Sequence, residues 1–391
     1  MCTPHAEIVQ KCDQEVSALL PELPRPEQKA LAHVVCGVAA SQSCLLSQVG
    51  AAMPGDAQAP SQQQRAQRLI SNPRLDVARA QRRLLQRVVG QRQGRLDLLV
   101  DATTRGVGRQ RPGTTTVCLA LAWHGRAVPL LWRTWVANAP GQDWSGALRV
   151  MVTTLQAELP PTTQVVVLVD RGFSGGPLAR LLTEAGWHYL WRVVRTTRIR
   201  PAGAADAQVQ PVSTLVPTAS GRLVCVKDCQ VYGPRHKARS GAGGWVTDWE
   251  RGLIANVVAL WQPTDKEPWI VVTDLPASRA RLREYRRRTW EEELFRDLKG
   301  AGWQWHHSRV QHPEHVQRLL LILALATLWM LALGQRVVRH GWRRTVDSRR
   351  RRTYSYFQLG LRYWTYQQRH LRSVPVWLDL LREPPVLPKL S

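Results

Sequence analysis

The sequence predicts an α/β fold in which a mixed-sheet core follows a small helical module and is interrupted by a β-rich insertion. Three observations carry this. Short helical patterns, broken at Met53-Pro54-Gly55-Asp56 and Asn72-Pro73, fill the first ninety residues. From residue 96 the pattern turns to strands, three in a meander and then strand–helix–strand. Residues 196–267, rich in Gly, Thr and Val, then break into short alternating pieces before a helical pattern resumes.

The elements follow in chain order. Leu96 to Asp101 reads as the first strand, Thr116 to Trp123 as the second, and Ala127 to Trp132 as the third, with a tight turn at His124-Gly125-Arg126. A helix near Ser145 to Leu159 leads into Gln164 to Asp170, apolar enough for a central strand. A helix from Leu178 to Gly186 and a strand from Tyr189 to Val194 close this part. That order is the one found in a ribonuclease H-like catalytic core. Arg222 to Val226 and Ile254 to Trp261 are strands of the insertion, and Trp269 to Pro276 returns the chain to the core. The expected division is a helical module at 1–94, core at 95–195, insertion at 196–267, core again at 268–340 and a basic tail at 341–391. The apolar run Leu319 to Leu333 is shorter than the roughly 20 residues a membrane span needs and reads as a core helix.

Charge points to the partner. The chain has 391 residues and a formal net charge of +25, which calls for a polyanion. Almost all of the excess is arginine, whose planar fork suits bidentate phosphate contact. Residues 61–95 hold nine arginines against the single acid Asp76. A helix over Ser61 to Ile70 carries Gln62, Gln63, Gln64, Arg65, Gln67 and Arg68, side chains able to reach base edges and phosphates. A nucleic acid is the leading partner; a membrane surface is the rival, set aside because no charged amphipathic anchor stands out. Seven scattered cysteines read as reduced thiols. Cys225 and Cys229 with His236 lack a second ligand pair at zinc spacing.

The segment Tyr285 to Lys299 is the most informative. On a helix at 100° per residue, with Tyr285 at zero, Arg288, Glu292 and Lys299 fall at about 300°, 340° and 320°. One face thus carries a tyrosine, an arginine, a carboxylate and a lysine, while Glu291 and Glu293 point elsewhere. Trp290, Leu294 and Leu298 form an opposite buried stripe. A solvated amphipathic helix is the bland reading. Asp101 and Asp170, each ending an apolar strand, supply two further carboxylates at a sheet edge, and Asp97 and Asp274 are lower-ranked alternatives.

Tyr-x2-Arg-x3-Glu-x6-Lys, met by Tyr285, Arg288, Glu292 and Lys299, resembles the signature of DDE transposases of the insertion-sequence-four group, which includes the Tn-five-like enzymes. Leu-Val-Asp101-Ala-Thr103 and Val-Asp170-Arg-Gly-Phe173 are similar to the segments around that group's first two acids. The resemblance covers about residues 95–335. It implies that Asp101, Asp170 and Glu292 hold two Mg²⁺ ions, with Mn²⁺ able to substitute, and that Tyr285, Arg288 and Lys299 contact DNA phosphates. It also implies an N-terminal helical DNA-binding module, with Arg65 and Arg68 among its contacts, a homodimeric synapse and work in the bacterial cytoplasm at the nucleoid. The implied reaction is cleavage at terminal inverted repeats followed by strand transfer. A nuclease without strand transfer and an inactive DNA-binding repressor are the rival readings. Trp245, Trp261 and Trp269 are candidates to stack a flipped base.

Overall fold

The computed structural model describes residues 4–90, 92–106, 113–139, 143–173, 175–203, 209–237, 245–247, 252–300, 302–376 and 378–379. Five helices open the chain: α1 (Pro4–Leu19), α2 (Arg25–Ser41), α3 (Leu46–Ala52), α4 (Ala59–Ser71) and α5 (Val77–Val89). Asp76 caps α5 by accepting from Arg79 N at 3.2 Å, which satisfies one of the free N–H groups at the helix start.

The meander β1 (Arg95–Arg105), β2 (Thr114–Trp123) and β3 (Arg126–Val136) follows. The turn between β2 and β3 places His124 at φ 46° and Gly125 at φ 83°. Two left-handed residues in a row match the right-handed twist of the strands they join, and the glycine takes this conformation without a Cβ clash. Next come α6 (Trp144–Glu158), β4 (Gln164–Val169), α7 (Gly175–Glu184) and β5 (His188–Arg192). β1 pairs parallel with β4, and β4 parallel with β5.

The segment expected as an insertion extends the same sheet. β6 (Thr197–Arg200), β7 (Gln210–Pro211), β8 (Leu223–Lys237), β9 (Trp245–Thr247), β10 (Leu253–Leu260) and β11 (Trp269–Thr273) continue it beyond β5. The order is β3-β2-β1-β4-β5-β11-β10-β8-β6-β7, with β9 on β8, eleven strands in all. β11 makes the junction, pairing antiparallel with β5 on one side and β10 on the other. Alternation in the sequence identifies strands, but it does not say which edge they join.

After α8 (Arg279–Tyr285) and α9 (Thr289–Leu298) the chain enters α10 (Pro313–Arg339) and, after a basic loop, α11 (Tyr356–Arg369). The apolar run sits inside the 27-residue α10, whose most apolar window is 94% buried in the protein although its length and composition would also suit a membrane span. α10 packs against β3 on one side and α2, α4 and α5 on the other. Arg318, in the middle of this contact, is buried and donates to the carbonyls of Ile70 at 3.3 Å and Leu75 at 3.2 Å. It thereby satisfies carbonyls between α4 and α5 that would otherwise be buried without a donor. One hydrophobic cluster runs from Ile8 to Leu378.

α11 crosses α10 at two glycines. A Cβ on Gly334 would lie 1.8 Å from Tyr356 O, and one on Gly360 would lie 2.0 Å from Met330 O. Backbone, not a movable side chain, fills the space in both cases. Alanine normally favours a helix interior over glycine by about 1 kcal/mol. Here Gly334→Ala and Gly360→Ala are expected to do the reverse and lower unfolding free energy by about 1–3 kcal/mol through overpacking. Urea denaturation of each variant, read by the tryptophan signal, checks the sign.

Candidate active site

The site lies where β4 stops and β1 continues. β1 was expected to end at Asp101, yet it runs to Arg105, because antiparallel pairing with β2 persists from Asp101↔Cys118 to Arg105↔Thr114. The parallel pairing with β4 ends at Val100↔Val169. Asp101 and Asp170 are the next residues on each strand, so two carboxylates stand side by side at the mouth of a crevice left by the shorter strand.

Period-two alternation then decides what one face of β1 holds. Asp97 pairs with Arg287 and with Arg95 at 2.7 Å. Asp101 pairs with Arg288 at 2.5 Å. Thr103 accepts from Lys299 Nζ at 2.6 Å. Arg105, buried, donates to the carbonyls of Trp305 at 3.1 Å, Ser308 at 2.6 Å and Val310, and lies over the Trp305 ring. Four same-face positions of one strand thus fasten residues 287–310 across the sheet.

The signature segment is not one helix. Residues 286–288 form a 3-10 turn between α8 and α9, and Lys299 lies past the end of α9 with ψ −102°. A 3-10 turn advances about 120° per residue, so the phase of a continuous wheel is lost across it. The four residues nevertheless gather around the strand ends. Tyr285, 3% exposed, donates to Val169 O at 3.2 Å and meets Trp269 edge-to-face at 6.0 Å. Burial, with the Asp170 charge next, pushes the Tyr285 hydroxyl well above the ordinary tyrosine range.

Arg288 is the hub. Its guanidinium bonds Asp101 at 2.5 Å, Glu292 one helical turn on, and lies 3.5 Å from Asp170. Burial works against its charge, but Asp101 and then Asp170 more than offset this and hold it above the ordinary arginine value. For Asp101 burial dominates over Arg288 and raises the carboxyl. Burial lowers Lys299, with Asp101 opposing.

One glutamate departs from the wheel, and its neighbour follows it. Glu291, expected to face away from the cluster, is 0% exposed and lies beneath it, beside Asp101 and Cys118. Neither of its oxygens has a well-formed hydrogen bond, and burial first, then Asp101, raises it well above the carboxylate range. Glu293 instead pairs with Arg126 and Arg296, both at 2.8 Å. Glu292, the acid on the cluster face, keeps a side chain 57% exposed. The alternatives Asp97 and Asp274 are engaged elsewhere, the latter by His188 at 2.7 Å and Tyr189 N at 3.1 Å.

The donor set of two aspartates and a glutamate is all oxygen, which suits a hard divalent cation such as Mg²⁺ or Mn²⁺. Three carboxylates already share one cationic group, which is the demand such an ion would answer. Among the described residues no three His, Cys, Asp or Glu side chains are drawn to ligand spacing, the guanidinium lying among the carboxylates instead.

A family described as the transposase DDE domain matches residues 93–329, more than half of the chain. The chain belongs to that family. A comparison with curated proteins finds no match. The transposase is therefore an enzyme of DNA recombination with DNA as its partner, and the matched span contains every strand of the sheet and most of α10.

Other candidates are placed less centrally. In α4, Arg68 is exposed and Arg65 half-buried, while Gln62 is buried and donates to Pro54 O at 3.3 Å, so it is not free to read a base. Gln63 and Gln67 open instead onto a cleft shared with Arg309, Gln311 and His315. Trp269 is the tryptophan beside the site, with Arg192 over its ring, whereas Trp261 is held by Asp265 O at 3.0 Å. The side chains of Trp245 and His236 lie outside the described residues. Sequence reasoning missed Thr103 and Glu291. Alternation from Asp101 could have found the first, and the i, i+3, i+7 spacing of Glu291 with Leu294 and Leu298 on the buried stripe could have found the burial of the second.

Asp297 gives a test of the electrostatics next to the site. It lies 3.0 Å from Arg126, yet burial outweighs that cation and raises the carboxyl to about 7 from its ordinary 3.8. The folded state then binds more protons than the unfolded one between about pH 4 and 7. Stability must fall as pH rises through that window and level off above it, by at most about 1.4 kcal/mol per pH unit. Relative to Asp297→Asn, the native protein is expected to lose stability between pH 5 and pH 8 in denaturant titrations. A constant difference between the two would show an unshifted carboxyl.

Proposed function

We propose that the chain is a cut-and-paste DNA transposase of the insertion-sequence-four group, with Asp101, Asp170 and Glu292 as its metal-holding acids. The observation that carries this is the convergence of those three carboxylates on the single guanidinium of Arg288. The reading of β1 to β5 as a ribonuclease H-like core, of residues 1–94 as the reader of terminal inverted repeats, and of a homodimer as the working form belongs to the same proposal. So does action in the cytoplasm.

When bound, divalent ions supply charge neutralisation at the scissile phosphate and an activated oxygen nucleophile at neutral pH. The chain's own residues do the rest. Asp101, within β1, and Asp170, just past the end of the neighbouring β4, supply paired carboxylates whose spacing the sheet fixes. Glu292 is exposed on the first turn of α9 and completes the set from across the crevice. Arg288 keeps the acids from repelling one another when no metal is present. Freed from them, its fork is suited to a backbone phosphate. Lys299, anchored on Thr103, presents a second cation to the same groove. Water and then a DNA 3′ hydroxyl would be successive nucleophiles at one centre.

Replacing Asp101, Asp170 or Glu292 with Ala is expected to abolish Mg²⁺-dependent cleavage and joining of duplex DNA carrying the gene's flanking sequences, and to leave binding nearly intact. Cleavage by Glu292→Ala in gel assays would refute the assignment. Cleavage without joined products would instead identify a nuclease.

Arg288→Ala and Lys299→Ala separate positioning from a surface role. A misplaced phosphate costs on the order of a hundredfold in rate, whereas an exposed ion pair contributes about 0–1 kcal/mol of stability. Both variants are expected to cleave on the order of a hundredfold more slowly while keeping their metal dependence. Wild-type rates at unchanged folding stability would assign both residues to a solvated helix face.

A further inference from the structure

Residues 336–372 contain eleven arginines, no lysine and one acid, Asp347. That acid is buried and bonds Arg343 at 3.0 Å. Arg343 also donates to the carbonyls of Arg349 at 2.8 Å and Arg350 at 3.0 Å. One guanidinium therefore closes the loop between α10 and α11, and Arg344, Arg349, Arg350, Arg351 and Arg352 are left exposed along it.

Aromatic rings hold three of the arginines in place. The guanidinium carbons of Arg349 and the exposed Arg362 are 5.9 and 3.9 Å from the ring centre of Tyr354, and that of Arg352 lies 4.3 Å over Tyr356. A guanidinium stacked by its face keeps its N–H edge for a partner, and the stacking reduces the side-chain entropy lost when that partner binds. Phosphate is the ligand that a row of such edges fits bidentately.

The surface lies at the opposite end of β1 from Asp101. Tyr356 packs on Trp123 at 5.3 Å and on His124 at 6.0 Å, at the β2–β3 turn. The register Leu98↔Leu121 puts Trp123 beside residue 96, five residues before Asp101. At about 3.3 Å per residue this is roughly 16 Å along the strand, equivalent to about five base pairs at about 3.4 Å each.

We infer that the α10–α11 loop, through Arg349 to Arg352 and Arg362, is a second, sequence-independent contact for the phosphate backbone of duplex DNA, set about five residues along β1 from Asp101. The inference rests on the reading of the chain as an enzyme acting on duplex DNA. It assigns this surface an anchoring task separate from the chemistry and from the N-terminal helices.

The test uses the full chain, a 40-base-pair duplex of arbitrary sequence and fluorescence anisotropy over a series of salt concentrations. Each phosphate contact contributes about 0.9 to the slope of log K against log salt. The variant carrying Arg349→Ala, Arg350→Ala, Arg351→Ala and Arg352→Ala is expected to flatten that slope by about 2 units or more. Tyr354→Leu, which removes no charge, is expected to weaken binding in the same direction. On a second duplex that carries the gene's flanking sequences, both variants should, once bound, cleave at the native rate, since neither touches Asp101, Asp170 or Glu292. Native affinity and slope in the fourfold variant, at an unchanged melting temperature, would overturn the inference. So would loss of binding to anionic phosphatidylserine vesicles with DNA binding unaffected, which would make the surface a lipid contact. A native protein that binds duplex through this loop but never nicks the flanking-sequence duplex with Mg²⁺ would refute the proposed reaction and leave the anchoring surface standing.

Discussion

Three carboxylates cannot share a crevice without a cation, and in this protein the cation is Arg288. At an effective dielectric near 20, two like charges about 4 Å apart cost about 4 kcal/mol, more than a typical single contact provides. The guanidinium of Arg288 removes that repulsion for Asp101, Asp170 and Glu292 together. This contact fixes α9 over the strand ends and ties the helix to two strands far apart in sequence. It also explains why Asp101 tolerates burial that raises its carboxyl.

The rest of the architecture supplies the geometry for that contact. β4 stops one residue short of Asp170 while β2 continues beside β1, so the sheet is open on one side of Asp101 and closed on the other. The polar face of β1, from Asp97 to Arg105, then fastens the chain from Arg287 to Val310. Behind it α10 provides the apolar backing, with Arg318 joining the first helices to the same core. The site is consequently set on rigid elements, which is what a reaction sensitive to ångström displacements requires. The arginines are divided between two tasks. Arg105, Arg288 and Arg318 are inside, each matched to carbonyls or carboxylates, whereas the loop after α10 displays its arginines to solvent.

The sequence by itself located β1 to β5 with the helices between them, and β10 and β11, in order, but left β6, β7, β9 and α11 unread and β8 short. Alternation and apolar runs found nine of these elements to within a few residues, as with the helix expected near Ser145 to Leu159 and observed at Trp144–Glu158. The resemblance to the transposase signature picked out Tyr285, Arg288, Glu292 and Lys299, and strand-end position with the same resemblance picked out Asp101 and Asp170. The six do gather where β4 stops beside β1. Local patterns suffice there because periodicity and residue chemistry act within a few positions along the chain.

Only the tertiary structure decided the remainder. The segment 196–267 joins the central sheet because β11 returns to pair with β5, a contact across about eighty residues that no local pattern encodes. A helical wheel placed the signature residues on one face, but the 3-10 turn at 286–288 breaks the wheel, and the strand ends assemble the cluster instead. Glu291 is on the buried face of α9 with Leu294 and Leu298, but only the packing of that face on β1 and β2 sets it beside Asp101 and Cys118. Burial and long-range pairing are properties of the packed chain. A sequence specifies them only through the sum of all its contacts.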